Sequence, residues 1–198
     1  GNELVIAAYK YIIFMNNSEE QVWNYSASHT FEVVGVGNLS LDPGLEIVSG
    51  DDSGVVYIWN SSGKLIVNKS FPVSVYGISV ADINQSNPFD EIIVSTSNGT
   101  LFVLTNNGSV LWSVYFGSST LLDTVSVGEV TEEFDGLEIA CGGGDNKVHI
   151  VSSDGNLIGE FSTENSVQGL DVNDFSEEPG NEVIVGTTYP STYQLYIL

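Results

Sequence analysis

Short apolar runs alternate with polar, glycine-containing segments along the whole chain, and the apolar runs recur at a nearly constant spacing. Five of them follow a glutamate: Glu3 in "ELVIAA", Glu46 in "EIVSGD", Glu91 in "EIIVST", Glu138 in "EIACGG" and Glu182 in "EVIVGT". The steps between these glutamates are 43, 45, 47 and 44 residues. A second apolar run, a turn dipeptide such as Asn107-Gly108, and a closing run such as "SVLWSVYF" complete each unit.

Each unit therefore contains four short runs rich in Val, Ile, Tyr and Phe, which is the composition of β-strands. Asn-Gly and Asp-Gly between such runs are strong signals for tight hairpins. No segment shows a sustained helical period. A period in the forties with four strands per unit is typical of a β-propeller blade. The pattern predicts an all-β chain, a β-propeller with four-stranded antiparallel blades of about 43–47 residues.

The same register predicts the organisation of the chain as a single propeller, or propeller segment, over 1–198. Its parts are a partial blade at 1–27, whole blades at 31–70, 75–117 and 122–163, and a partial blade at 167–198. The strands that start near Val33, Tyr76, Thr124 and Gln168 are expected to line the central axis. Partial blades expose unpaired strand edges. We therefore expect partners there, either further blades of the same polypeptide or neighbouring copies.

Charge narrows the range of partners. The chain has 26 acidic residues, four lysines and no arginine, so its formal net charge is −22. Without arginine it lacks bidentate phosphate clamps, and its net charge repels polyanions. No apolar run reaches transmembrane length. We expect no nucleic-acid partner, no membrane insertion and, with a single cysteine, no disulfide framework.

Asn-x-Ser/Thr triplets are frequent in the first half of the chain. Eight asparagines begin such a triplet: Asn16, Asn24, Asn38, Asn60, Asn68, Asn84, Asn98 and Asn107. Chance would give roughly three. The excess indicates an extracellular or cell-surface protein with N-linked glycans, especially at the turn positions 16, 60, 98 and 107. The alternative is that Asn and Ser are both turn residues and coincide for that reason.

Two segments carry a family resemblance, "GLEIVSGDDSGVVYIWNSSGKLI" and "DEIIVSTSNGTLFVLTNNGSVLW". Their pattern resembles the extracellular propeller repeats of the FG-GAP (integrin α-like) and PQQ-like (quinoprotein-like) groups. In the PQQ-like group a tryptophan that closes each repeat docks between blades. Here Trp23 and Trp112 occupy that position, while Val67 and Gly159 replace it in two repeats. The lack of positive groups for a quinone's carboxylates argues against that cofactor, and we expect none.

The FG-GAP resemblance also implies calcium, which that group binds in an Asp-x-Asp-x-Asp-Gly loop. The corresponding loops here supply oxygen donors without that tight alternation. The calcium candidates are Asp82, Asn84, Asp90, Glu129, Glu132, Asp135, Asp174 and Glu177. The alternative interpretation is a solvated acidic rim.

No catalytic constellation emerges from the remaining residues. His29 lies in a polar link and His149 in an apolar strand, neither with a carboxylate or cysteine at motif spacing. Cys141 falls in a strand expected to be buried, where a thiol is inert. The glutamate that recurs in all five units suggests a scaffold role, accepting hydrogen bonds from backbone N–H groups near the rim.

These observations favour a non-enzymatic extracellular structural or adhesion module, such as a surface-layer, filament or cell-surface binding component. A second hypothesis is the scaffold or substrate-binding part of a polysaccharide-acting enzyme. Four tyrosines could stack on sugars in that case: Tyr9, Tyr11, Tyr189 and Tyr193. A calcium-dependent binding module is the third hypothesis.

Overall fold

The regular structure of this chain is entirely β in the part that a computed structural model describes, namely residues 3–118, 120–131, 133–134, 136–175, 181–188 and 194–197. The predicted fold class is confirmed: the sheets are antiparallel, three of them have four strands, and the architecture is that of a β-propeller. Since the described residues form no helix, they include no helix that could cross a membrane.

Five sheets follow one another along the chain, each with its strands in sequence order. The first sheet contains β1 (Leu4–Ala8), β2 (Tyr11–Met15) and β3 (Gln21–Ser26). The second contains β4 (Phe31–Gly37), β5 (Glu46–Asp51), β6 (Val55–Trp59) and β7 (Leu65–Ser70). The third contains β8 (Val75–Ala81), β9 (Glu91–Thr96), β10 (Thr100–Leu104) and β11 (Val110–Tyr115).

The remaining two sheets continue this order. The fourth contains β12 (Leu122–Gly128), β13 (Glu138–Gly143), β14 (Lys147–Val151) and β15 (Leu157–Ser162). The fifth contains β16 (Ser166–Asn173), β17 (Glu182–Thr188) and β18 (Gln194–Ile197). The first strands β4, β8, β12 and β16 contact one another in succession, and β1 contacts β4. We call β4, β8, β12 and β16 the inner strands, and they contain the residues predicted to line the axis.

Burial follows strand position within a sheet. All residues of β5, β9 and β13 are buried, because these second strands have a neighbouring sheet on each face. Fourth strands such as β7 and β11 alternate between exposed and half-buried residues, since they lie at the outer edge. Apolar clusters fill the space between successive sheets. The shared core explains why four-stranded units with little core of their own fold together.

Two tryptophans fasten neighbouring sheets. The Nε1 of Trp23, on β3, donates a hydrogen bond to the carbonyl oxygen of Ser61 in the second sheet at 3.1 Å. Trp112, on β11, donates in the same way to Ser153 in the fourth sheet at 3.2 Å. Each indole packs on a glycine of the turn that it bonds, and a Cβ at Gly63 would stand 2.7 Å from the Trp23 ring. The predicted tryptophan positions therefore dock between sheets.

Candidate functional site

The recurring glutamates hold the loops that follow the inner strands. The buried carboxylate of Glu46 accepts a hydrogen bond from the backbone N–H of Leu39 at 2.8 Å, and Glu91 accepts one from Asn84 at 3.0 Å. The same contact, at 2.8 Å, is made by Val130 to Glu138 and by Phe175 to Glu182. The scaffold role predicted for the recurring glutamates is confirmed for these four, since each caps a backbone donor within its own sheet.

The calcium candidates do not converge in the described part of the chain. Asp90 accepts a hydrogen bond from the backbone N–H of Asn38 in the preceding sheet at 2.7 Å, so it links two sheets. Asn84 Oδ1 accepts one from Ser86 N at 3.3 Å, Glu129 is half-buried, and Asp82 and Asp174 are exposed. No three acidic, His or Cys residues among the described ones form a metal-holding group. Glu132, Asp135 and Glu177 lie outside the described residues, and calcium binding stays a prediction.

The asparagines of the Asn-x-Ser/Thr triplets cap turns. The Oδ1 of Asn16 accepts a hydrogen bond from Ser18 N at 2.9 Å, and Asn98 accepts one from Thr100 N at 3.2 Å. Asn107 and Asn84 bond the residue two positions later in the same way, whereas Asn60 bonds Lys64 N. The three remaining asparagines of the set are exposed: Asn24, Asn38 and Asn68. Asn-x-Ser is thus also the sequence of a side-chain-capped turn here.

His149 has charged neighbours that motif spacing did not reveal. It is buried, with Nε2 2.9 Å from Asp145 Oδ2 and Nδ1 3.0 Å from Glu160 Oε1, although the second contact lacks hydrogen-bond geometry. The ring of Phe116 stacks on it at 4.2 Å. Cys141 lies opposite His149 in the β13–β14 ladder, and burial raises the pKa of its thiol. A protonated thiol enclosed in the core supplies no nucleophile.

One residue near the start of each inner strand is extra to its ladder. The pairing of β4 with β5 shifts between Phe31 and Val33, so Glu32 is bulged out of register. The same shift occurs in the other three inner strands, at Tyr76, Asp123 and Gln168. β-bulges redirect side chains and often adjoin functional sites. We call these four residues the bulge row.

Side chains of the bulge row are accessible and in part connected. Glu32 and Gln168 are exposed, while Tyr76 and Asp123 are half-buried. The Nε2 of Gln168 donates to Asp123 Oδ2 at 2.7 Å, which joins two inner strands. Burial raises the pKa of Asp123, and the bond from Gln168 opposes that shift. The row therefore offers carboxylate and amide oxygens, and it includes the half-buried tyrosine Tyr76 on β8.

The polar loop before β4 lies next to Glu32. His29 Nδ1 is 3.1 Å from Asp52 Oδ1, and the backbone N–H of Asp52 donates to Thr30 O at 2.9 Å. Of the tyrosines proposed to stack on sugars, Tyr9 and Tyr11 are exposed, whereas Tyr189 and Tyr193 lie outside the described residues.

The sequence analysis did not identify the bulge row as a candidate site. The sequence feature that marks these four positions is a residue that differs from repeat to repeat and directly follows a buried apolar residue.

Several solved structures share this fold at low sequence identity. BBS1N, crystallised in complex with ARL6DN, is 18% identical with a TM-score of 0.74, covering 94% of this chain and 54% of that chain. Saccharomyces cerevisiae Sqt1 is 14% identical with a TM-score of 0.71, covering 89% and 51%. A Bacteroides caccae protein of unknown function is 12% identical with a TM-score of 0.62, covering 99% and 71%. The chain thus spans about half the length of the first two, and these likenesses concern the fold.

Sequence comparison is more specific. No curated protein matches the chain significantly. The family model of the lambda-carrageenase β-propeller domain matches residues 46–186, which is well over half of the chain. The chain belongs to the lambda-carrageenase β-propeller domain family.

Proposed function

We propose that this propeller is a non-enzymatic, extracellular binding and adhesion module that holds a neutral, hydroxyl-rich glycan on the bulge row. The observation that carries the proposal is the contrast between repeated and variable positions. Capping glutamates and core residues recur from sheet to sheet, whereas the bulge row reads Glu32, Tyr76, Asp123 and Gln168. A repeated scaffold with variable exposed residues at one end suits ligand recognition.

The chemistry of the row favours a sugar over an anion. The ring of Tyr76 can pack against the apolar face of a pyranose, and the oxygens of Glu32, Asp123 and Gln168 can accept hydrogen bonds from hydroxyl groups. A net charge of −22 disfavours any polyanion at long range. A neutral oligosaccharide presents apolar ring faces and hydroxyl groups to these side chains, and it carries no negative charge for the chain to repel.

The proposal predicts a Tyr76-dependent affinity for neutral oligosaccharides. Titration of neutral galacto-oligosaccharides, followed by calorimetry, should give saturable binding that Tyr76→Ala weakens about tenfold, as expected for losing a stacked aromatic ring. Tyr115→Ala is the matched control, because Tyr115 is exposed on the outer strand β11. Equal affinities of the Tyr76→Ala variant and the native chain, or preference for a sulfated galactan, would contradict it.

The family match favours a second candidate, in which the propeller is the scaffold or substrate-binding part of a polysaccharide-acting enzyme. The family is named after a lambda-carrageenase. The bulge row would then hold polysaccharide for a catalytic site supplied elsewhere. Release of new reducing ends when the natural protein is incubated with polysaccharide, at a rate that Tyr76→Ala lowers, would favour this candidate over the non-enzymatic module.

Repeat type and location are also part of the proposal. Docking of Trp23 and Trp112 on the turns of other sheets supports kinship with PQQ-like repeats. The Asn-x-Ser/Thr excess supports an extracellular location, where glycans would attach to exposed or half-buried asparagine side chains. Intact-mass measurement of the natural protein should show added hexose-containing mass that N-glycosidase removes. A bare polypeptide mass would refute this part.

A further inference from the structure

An apolar groove of about 580 Å³ lies between the first and second sheets. Six residues from both sheets form most of its wall: Val5, Phe14, Val36, Leu45, Ile47 and Ser61. Val36 and Leu45 are 46% and 53% exposed at its mouth. The groove is at the capping-glutamate end of the sheets, opposite the bulge row, so it is a separate surface and its ligand is independent of the proposed glycan.

The corresponding space between the second and third sheets is filled by Leu39, which is only 3% exposed. Leu39 belongs to the cluster of Val48, Ile58 and Ile92. By strand register these three residues are the equivalents of Val5, Phe14 and Ile47, since each set includes the same positions of the second and third strands. The groove therefore has the same lining positions as the space that Leu39 fills between the second and third sheets.

Polar groups repeat this correspondence. The backbone N–H of Leu39 donates to Glu46 at 2.8 Å, and its carbonyl oxygen accepts a hydrogen bond from Asn106 Nδ2 at 3.0 Å. Glu3 holds the position of Glu46 in the first sheet, and Ser61 holds that of Asn106 in the second. Both Glu3 and Ser61 line the groove.

The next two sheet interfaces are filled in the same way. Ile83, 4% exposed, packs between the third and fourth sheets with Ile139. Val130 packs between the fourth and fifth sheets with Val183, and its N–H donates to Glu138. Leu39, Ile83 and Val130 each stand two residues after the end of an inner strand. At each of these three interfaces an inner strand is followed, two residues later, by an apolar residue that packs between the sheets. We call this residue the anchor of the strand.

We propose that the groove and the adjoining edge of β1 bind an extended peptide strand with an apolar anchor two residues beyond its end. Among the described strands β1 pairs with β2 alone, while inner strands such as β4 pair antiparallel with the second strand of their sheet. A peptide strand satisfies the backbone groups of the β1 edge as well as the apolar groove, by β-strand addition. Neither a glycan nor an acyl chain does both.

A labelled peptide of residues 31–40, FEVVGVGNLS, is the probe, because it contains β4 and its anchor. Fluorescence anisotropy with the 198-residue chain should show saturable binding. Replacing the anchor leucine of the peptide by aspartate should weaken binding about tenfold or more, since a buried leucine is lost. Hydrogen exchange in residues 4–8 should slow when the peptide is bound, because its strand covers the β1 edge.

Variants of the chain locate the binding. Leu45→Asp should weaken peptide binding by a similar factor, while Leu157→Asp should not, although Leu157 is 47% exposed, close to the 53% of Leu45. Tyr76→Ala should leave peptide binding unchanged, which separates this proposal from the glycan site. Absence of saturable binding, or binding that Leu45→Asp does not affect, would overturn it. So would self-association of the chain through this groove without peptide binding.

Discussion

Replacing Gly54 by alanine is expected to lower the free energy of unfolding by more than about 3 kcal/mol, a loss near the limit for a single substitution. Two causes act together. Gly54 has φ +90°, which costs an alanine about 1–2 kcal/mol. Its Cβ would also press on the carbonyl oxygens of Val73 and Phe71 well inside van der Waals contact. Backbone atoms cannot rotate away, so the sheet itself must shift.

Gly117→Ala is the control that separates these two causes. Gly117 also has positive φ, at +115°, but the nearest atom to a Cβ there is Thr120 Oγ1 at 3.9 Å. Its alanine variant should lose about 1 kcal/mol, from backbone conformation alone. Urea denaturation of the three proteins measures both differences. Equal losses at the two positions would show that the turn relaxes and that the steric argument for Gly54 is wrong.

The fold was predictable because its determinants are local and repeated. Hairpin turns such as Asn107-Gly108, with Gly108 at φ +80°, fix the pairing of neighbouring strands within a few residues. The glutamates repeat because every sheet needs the same cap, as the bond from Val130 to Glu138 shows. A repeat defined by such residues stays recognisable when other positions are substituted. The four-stranded unit and its register can therefore be found from this single sequence.

The candidate site was not predictable in the same way, because it depends on pairing between strands. Tyr76 becomes a bulge only through the register of β8 against β9, which places Val75 opposite Thr96 and Gly77 opposite Ser95. No local motif marks that shift. The neighbours of His149 illustrate the same limit, since Glu160 reaches it across the β14–β15 ladder.

Asp90 shows that one residue class can serve two kinds of contact. Its place in an acidic loop predicts a calcium ligand, and in the structure its Oδ2 accepts the N–H of Asn38 while its own N–H donates to the Asn38 carbonyl oxygen. A carboxylate that bridges two sheets is as acidic in sequence as one that binds an ion. The distinction lies in which backbone donors the neighbouring sheet presents.

The buried glutamates that cap the loops lead to a prediction about the effect of a buried charge on stability. Glu138 is fully buried and its Oε2 accepts hydrogen bonds from Val130 N and Thr131 N, while Oε1 has no hydrogen-bond partner among the described residues. Glu138→Ala leaves two donors unsatisfied and should cost about 2–4 kcal/mol of unfolding free energy. Glu138→Gln keeps an acceptor and removes a buried charge, so its stability at neutral pH should equal or exceed that of the native chain.

The pH dependence of stability tests the same idea by sign. Burial, then the nearby Glu129 charge, raises the pKa of Glu138 above its usual 4.5, although its hydrogen bonds oppose the shift. Between the unfolded and folded pKa values the native state holds a proton that the unfolded chain has released, so native stability rises as pH falls through this range. Urea unfolding from pH 7 to pH 4 should show this rise, and Glu138→Gln should reduce its slope. Glu91, whose pKa is also raised by burial, keeps part of the slope in that variant. Identical slopes for the native and Glu138→Gln chains, or a loss in Glu138→Gln as large as in Glu138→Ala, would contradict the assignment of Glu138 as a cap that carries an unfavourable buried charge.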